Sequence, residues 1–199
     1  MLNNKVRPQT NKITGKIGEK IPINPNIVTI IGLLISIFSG VLFASGNLIA
    51  GAIFIILSGF CDMIDGAIAR SQNRRTKFGG FLDSTCDRFS DAAILIGLMY
   101  GGFIDPILGA LAIHASLTVS YIRAKAEKEG IKCSVGIAER AERLLIITIA
   151  SLIAGLLNNS HSIMFIAIAL LTILSYITVF QRVHHVWINL EEDQIHRPQ

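Results

Sequence analysis

The stretch CDMIDGAIARSQNRRTKFGGFLDSTCDRF, residues 61–89, decides the fold. It lies where two long apolar segments meet, and it places four carboxylates there: Asp62, Asp65, Asp83 and Asp87. Arg70 and Arg88 stand beside them. A charged side chain deep in a bilayer costs at least about 2.5–3.5 kcal/mol on insertion scales. Four acids in one such junction therefore need a compensating partner.

Their spacing says what that partner is. Asp62, Asp65, Gly66 and Ala69 fall at i, i+3, i+4 and i+7, so on a helix they share one face. Asp83 and Asp87 are one turn apart on the next segment. Two helices facing each other would converge all four carboxylates on one spot, where bare charges repel. Hard divalent cations with oxygen ligands remove the repulsion, and Mg²⁺ is the usual ion beside phosphates. A pair of such ions holding a nucleotide diphosphate is the expectation. Gly66 and Ala69 are small enough to let a ligand approach that helix closely. The plainer alternative is a set of polar helix ends paired with loop cations.

The rest of the chain supports a membrane setting. Of 199 residues, 51% are hydrophobic, and the mean hydropathy is +0.56. That exceeds an ordinary soluble domain, where roughly 45–50% apolar already includes glycine. The expected fold is an all-α integral membrane protein with six transmembrane helices and an N-terminal amphipathic interfacial helix. Residues 1–22 carry Lys5, Arg7, Lys12, Lys16 and Lys20, with Ile13, Ile17 and Ile21 every fourth position. This reads as a helix lying on an anionic membrane face, or else as a basic tail. No cleavable leader is visible ahead of the first apolar run. Residues 23–183 form the six-helix transmembrane domain in this reading, with spans near 27–44, 48–70, 79–100, 106–124, 137–157 and 162–181. Asn24 is a plausible N-cap and Pro25 a first-turn residue. Residues 184–199 read as a mobile cytoplasmic tail.

Charge sets the orientation. Lys and Arg concentrate in the N-terminal segment, in 70–77 and in 123–143, while the turns at 45–47, 101–105 and 158–162 hold none. By the positive-inside rule both termini and the acidic stretch face the cytoplasm of a multi-pass cell-membrane protein. Cys61, Cys86 and Cys133 lack metal-type spacing and read as small apolar fillers. His114, mid-span, reads as a hydrogen-bonded packing residue. Nothing points to nucleic acid.

The pattern D-x2-D-G-x2-A-R-x8-G-x3-D-x3-D is matched at Asp62, Asp65, Gly66, Ala69, Arg70, Gly79, Asp83 and Asp87. It resembles the CDP-alcohol phosphotransferase family of membrane enzymes. The resemblance implies transfer from a CDP-linked lipid to an alcohol with release of CMP, in phospholipid biosynthesis. It implies Asp62, Asp65, Asp83 and Asp87 as ligands of two Mg²⁺ ions, with Mn²⁺ as the alternative metal, and Asp87 also as the proton acceptor. It implies a homodimer, to which Gly101, Gly102, Gly109, Ala110 and Ala112 offer a small-residue packing face. Arg70 suits nucleotide phosphate, since a planar guanidinium matches phosphate oxygens. Gly66 and Gly79 admit the nucleotide and Thr76 can hydrogen-bond it. The run from Pro25 through Asn26 to Thr29 resembles the family's first-span contact to cytidine; helix capping is the other reading of Asn26. Arg88 reads as a neutraliser of the acidic cluster, and Asp91, which continues the i+4 series, stays unassigned.

The acceptor is read from the second basic region. Lys125, Arg140, Arg143 and Arg182 gather at the span ends on the aspartate side, more cations than a neutral alcohol needs and suited to a phosphorylated one. The string YIRAKAE followed by GIAERAER is similar to the branch using inositol 1-phosphate, the phosphatidylinositol phosphate and archaetidylinositol phosphate synthases. Glycerol 3-phosphate as acceptor is the near alternative. A divalent-cation carrier is the alternative of another class; it would hold its acids at mid-membrane with access from both faces. The apolar lipid chains, archaeol or diacylglycerol, leave no mark on the sequence.

Overall fold

The computed structural model describes residues 23–157 and 160–195. The expected amphipathic helix at 1–22 and the turn residues Asn158 and Asn159 lie outside them. The described residues form helices in the order α1 (Pro25–Ala44), α2 (Leu48–Ser71), α3 (Lys77–Tyr100), α4 (Pro106–Lys128), α5 (Arg140–Leu157) and α6 (Ser160–Ile195). This is an all-helical membrane architecture. Four of the helices, α1, α2, α4 and α6 as far as Glu191, are long and apolar enough to cross a bilayer. α3 and α5 differ by the charges they carry, Asp83, Asp87, Arg88 and Asp91 on one and Arg140, Glu142 and Arg143 on the other.

Helix ends follow local chemistry. Asn24 caps α1, its Oδ1 accepting the Asn26 N–H at 3.0 Å, with Pro25 in the first turn. Gly46, at φ +88°, turns the chain, and Asn47 caps α2 by accepting the Ala50 N–H at 3.1 Å. Asp105 caps α4 through the Ile107 N–H at 2.8 Å. α6 runs past residue 183, where the tail was expected to begin: no Gly or Pro interrupts 160–195, and the helix continues to Ile195. Its extension is tied back by His185 Nε2, 3.2 Å from the Lys132 carbonyl.

α1 packs along both α2 and α3. α4 packs on α6, α5 joins α2 to α6, and α3 touches α4. The two motif helices make at most marginal direct contact; α1 packs along both, and their acidic faces meet across a cavity, with Asp65 of α2 and Asp83 of α3 on its wall. α1 and α3 come close where Gly40 meets the Ala93 carbonyl and Gly97 meets the Gly40 carbonyl; a Cβ on either glycine would overlap backbone. Ser36 and Ser58 share a hydrogen bond at 2.6 Å, and Ser39 donates to the Gly51 carbonyl at 2.8 Å, gluing α1 to α2.

The apolar core, with Phe43, Ile55, Leu98, Ile104, Ala154, Met164 and Ile168, fills the end of the bundle away from the acids. Outward faces carry exposed Leu34, Ile53, Ile107, Ile149 and Ile173, as a lipid-facing surface requires. Of the small residues expected at a dimer face, Gly109 lies against Met99, Gly101 against Phe43 and Phe103, and Ala112 is fully buried. Those three serve packing within the chain. His114 Nδ1 meets the Tyr176 hydroxyl at 3.0 Å, the packing role expected of it. The three cysteines are free, with Cys86 and Cys133 buried.

Candidate active site

The acids collect at one end of the bundle. Asp65 lies six residues from the end of α2, about 9 Å along its axis, and Asp87 ten residues into α3, about 15 Å. The α2–α3 connection is short and locked. Asn73 adopts a left-handed φ of 54°, the Arg74 N–H returns to the Ala69 carbonyl at 3.0 Å, and Thr76 caps α3 by accepting the Gly79 N–H at 2.9 Å. This geometry fixes how the two motif halves meet.

Two cavities flank the acids. The first, of about 330 Å³, is lined by Asn26, Thr29, Asp65, Gly66, Ala69, Arg70, Thr76, Gly79 and Asp83, with Arg74 and Arg75 at the connection. All seven residues expected to contact the nucleotide line it. Asn24, not Asn26, does the capping, so the Asn26 side chain faces the cavity. Thr29 Oγ1 donates to Asp65 Oδ2 at 2.6 Å, both groups being buried. A Cβ at Gly79 would lie 3.1 Å from both Asn26 Oδ1 and Thr76 Oγ1. The glycine thus holds open the wall between α1 and the α3 cap.

The second cavity, of about 320 Å³, opens between α3, α4, α5 and α6. Asp83, Asp87, Arg88, Asp91, Arg123, Glu127, Glu139, Arg140, Arg143 and Arg182 line it. Among the described residues, Asp83 alone lines both cavities. Arg140 binds the acids together. Its Nη1 donates to Asp62 Oδ2 and lies 2.8 Å from Asp87 Oδ1, and its Nε lies 3.3 Å from Asp91 Oδ1. Arg143, 4% exposed, reaches Asp91 Oδ2 at 2.7 Å and the Ala138 carbonyl at 3.2 Å. Arg88 lies 3.8 Å from Asp87, consistent with a neutralising role.

The acceptor set expected from sequence is rearranged. Arg140, Arg143 and Arg182 line the cavity, but Lys125 does not; it is exposed and pairs with Glu129 at 3.3 Å. Lys125 and Glu129 are an i, i+4 pair, which draws the ammonium along α4. Arg140 is spent on carboxylates as well as facing the cavity. Arg182 is 2% exposed, donating to the Val135 and Val119 carbonyls at 2.9 and 2.6 Å. It fastens the 131–139 connection to α6 and α4. Sequence reasoning left Asp91 unassigned although its i+4 spacing signalled it, and passed over Ser116, for which no local signal exists.

Among the described residues, no three Asp, Glu, His or Cys side chains stand close enough, as placed, to enclose a metal ion. The donor chemistry still fits a hard divalent cation. The acids are all carboxylates, and Arg140 Nη1 lies between two of them, so the cluster is one that draws in positive charge.

Residues 22–180 match the sequence profile described as CDP-alcohol phosphatidyltransferase. The chain is 45% identical over 188 residues to the archaetidylinositol phosphate synthase of Methanothermobacter thermautotrophicus, covering 94% of this chain and 95% of that one. It is similar to the crystal structure of Mycobacterium tuberculosis phosphatidylinositol phosphate synthase with CDP-DAG bound, with a TM-score of 0.79 and 34% identity over 88% of this chain and 94% of the other. The same mycobacterial enzyme in complex with manganese and citrate gives a TM-score of 0.78 at 34% identity, covering 87% of this chain and 88% of the other.

Proposed function

The chain belongs to the CDP-alcohol phosphatidyltransferase family, and from that premise we propose that it moves an archaetidyl or phosphatidyl group from a CDP-linked lipid to a hydroxyl of inositol 1-phosphate, releasing CMP. The observation that carries this reading is the shared wall. One cavity, lined by the seven residues expected at the nucleotide, and one rich in guanidinium groups meet at Asp83. Two substrates seated there would bring a diphosphate and an acceptor hydroxyl to the same carboxylates. The names of the relatives favour an inositol phosphate acceptor.

Asn26, Thr29, Gly66, Ala69, Arg70, Thr76 and Gly79 surround the CDP group in this reading, with Arg70 on its phosphates. Asp62, Asp65, Asp83 and Asp87 would hold two Mg²⁺ ions, or Mn²⁺, which when bound neutralise the diphosphate and the departing CMP. Arg140, Arg143 and Arg182 hold the acceptor's phosphate; Lys125 is left out of the set. Asp87 takes the proton of the attacking hydroxyl. The hydroxyl oxygen bonds to the lipid-bearing phosphorus, the bond from that phosphorus to CMP breaks, and the rest is positioning.

In the same reading all six helices span. α3 has 24 residues, about 36 Å of helix, and α5 has 18, about 27 Å, both within the range of roughly 17–25 residues that membrane-spanning helices use. Both termini and the site face the cytoplasm, as the basic loops favour. The enzyme is a homodimer, an expectation that rests on the family.

The test is CMP release by the purified protein in vesicles containing CDP-archaeol or CDP-diacylglycerol and Mg²⁺. Inositol 1-phosphate, glycerol 3-phosphate and free inositol are offered in competition. Inositol 1-phosphate is expected to dominate, and Asp87→Asn to abolish release. No CMP with any acceptor, or full activity in Asp87→Asn, overturns the reading; dominance of glycerol 3-phosphate replaces the acceptor.

A further inference from the structure

A carboxylate on the wall of an anion-binding cavity works against its ligand by charge alone. Asp91 is such a group, and it lies one turn beyond Asp87 on α3. Its Oδ2 accepts from Arg143 Nη2 at 2.7 Å and from Ser116 Oγ at 2.9 Å, while Oδ1 faces Arg140 Nε at 3.3 Å. Three helices thus converge on one side chain: α5 supplies two guanidiniums and α4 a hydroxyl. Arg140 and Arg143 are three residues apart on α5, so their like charges lie on one face and repel. Each is also a long side chain with many rotamers. Asp91 counters both by pairing with Nε of Arg140 and Nη2 of Arg143; Asp62 and Asp87 also hold Arg140 through Nη1, and Asp91 is the carboxylate that joins the two arginines.

We propose that Asp91 is a positioning residue for the acceptor phosphate, clamping Arg140 and Arg143 so that their remaining N–H donors face the second cavity, with Ser116 holding the clamp. The inference rests on the reading that this cavity takes a phosphorylated acceptor. Charge and geometry predict opposite signs. If only charge mattered, neutralising Asp91 would tighten phosphate binding. If Asp91 positions the arginines, neutralising it weakens binding, because an amide cannot accept charge-assisted bonds from two guanidiniums and a hydroxyl equally well.

The experiment measures steady-state kinetics of Asp91→Asn in vesicles, varying inositol 1-phosphate and CDP-lipid separately, with inorganic phosphate as a competitive probe. The clamp predicts an acceptor KM raised about tenfold or more, a phosphate inhibition constant raised in parallel, and an unchanged KM for CDP-lipid. An acceptor KM that falls or stays constant overturns it, as does an equal rise in both KM values. Should Asp91→Asn fail to fold, Ser116→Ala carries the test. It is expected to raise acceptor KM a few-fold with the CDP-lipid KM unchanged, and no change overturns the clamp. The wild-type arm separates this inference from the reading beneath it: if the wild type uses no phosphorylated acceptor, the functional reading fails and takes the clamp with it. If wild type works and the variants show no split, only the clamp fails.

Discussion

The two cavities sharing Asp83 are nearly equal in volume and opposite in construction. The first is walled by small residues and capping groups on α1, α2 and the start of α3, and its polar atoms include helix-end donors and acceptors. The second is walled by long charged side chains from α3, α4, α5 and α6, already bonded to one another. The first makes room and the second makes a charge lattice. A ligand entering the first meets space that glycine keeps open. A ligand entering the second meets guanidiniums whose geometry is fixed by carboxylates before it arrives, the condition for binding an anion without reorganisation. In the proposed assignment the nucleotide meets a shaped wall with Arg70 for its phosphates, and the acceptor meets a wall made mostly of charge.

That contrast can be broken at three points, in falling order of effect. Asp83→Asn alters the shared wall, so turnover should fall at least about 100-fold with either substrate varied; an effect confined to one substrate's KM would deny that the cavities act together. Gly79→Ala adds a Cβ 3.1 Å from Asn26 Oδ1 and Thr76 Oγ1, so the KM for CDP-lipid should rise about tenfold, the effect of roughly 1.4 kcal/mol of overpacking. Acceptor KM should not move, and if it does, the first cavity is not the nucleotide's alone. Lys125→Ala should change acceptor KM by less than about twofold, because exposed ion pairs contribute little. A large effect there would return Lys125 to the acceptor set and extend the second cavity along α4.

The same contrast explains what could be read early. The first cavity was legible because its walls come from residues near one another in sequence, Gly66 to Gly79 on two consecutive helices, plus the start of α1. Helical spacing puts Asp62 and Asp65 on one face before any fold is known. The second cavity was legible only as an excess of cations. Lys125 and Arg143 look equivalent in the sequence, yet one is drawn along its own helix by Glu129 and the other is buried against Asp91. Arg182 reads from the sequence as a free cation at a span end, yet one of its donors goes to the Val135 carbonyl of the 131–139 connection and another to the Val119 carbonyl of α4, while it still lines the second cavity.

The sequence by itself determined that the chain is a bundle of membrane helices and that its acids cluster at one junction where cations are needed. These follow from periodicity and from the cost of charge among apolar residues, both properties of neighbours along the chain; the diphosphate chemistry came with the resemblance that the aspartate motif carries. Only the tertiary structure decided that α1 is wedged along both motif helices, that Asp83 serves two cavities, and that Asp91 grips the arginines. Those depend on which helices pack, and side chains 25 to 78 residues apart in sequence meet only after packing has chosen their partners.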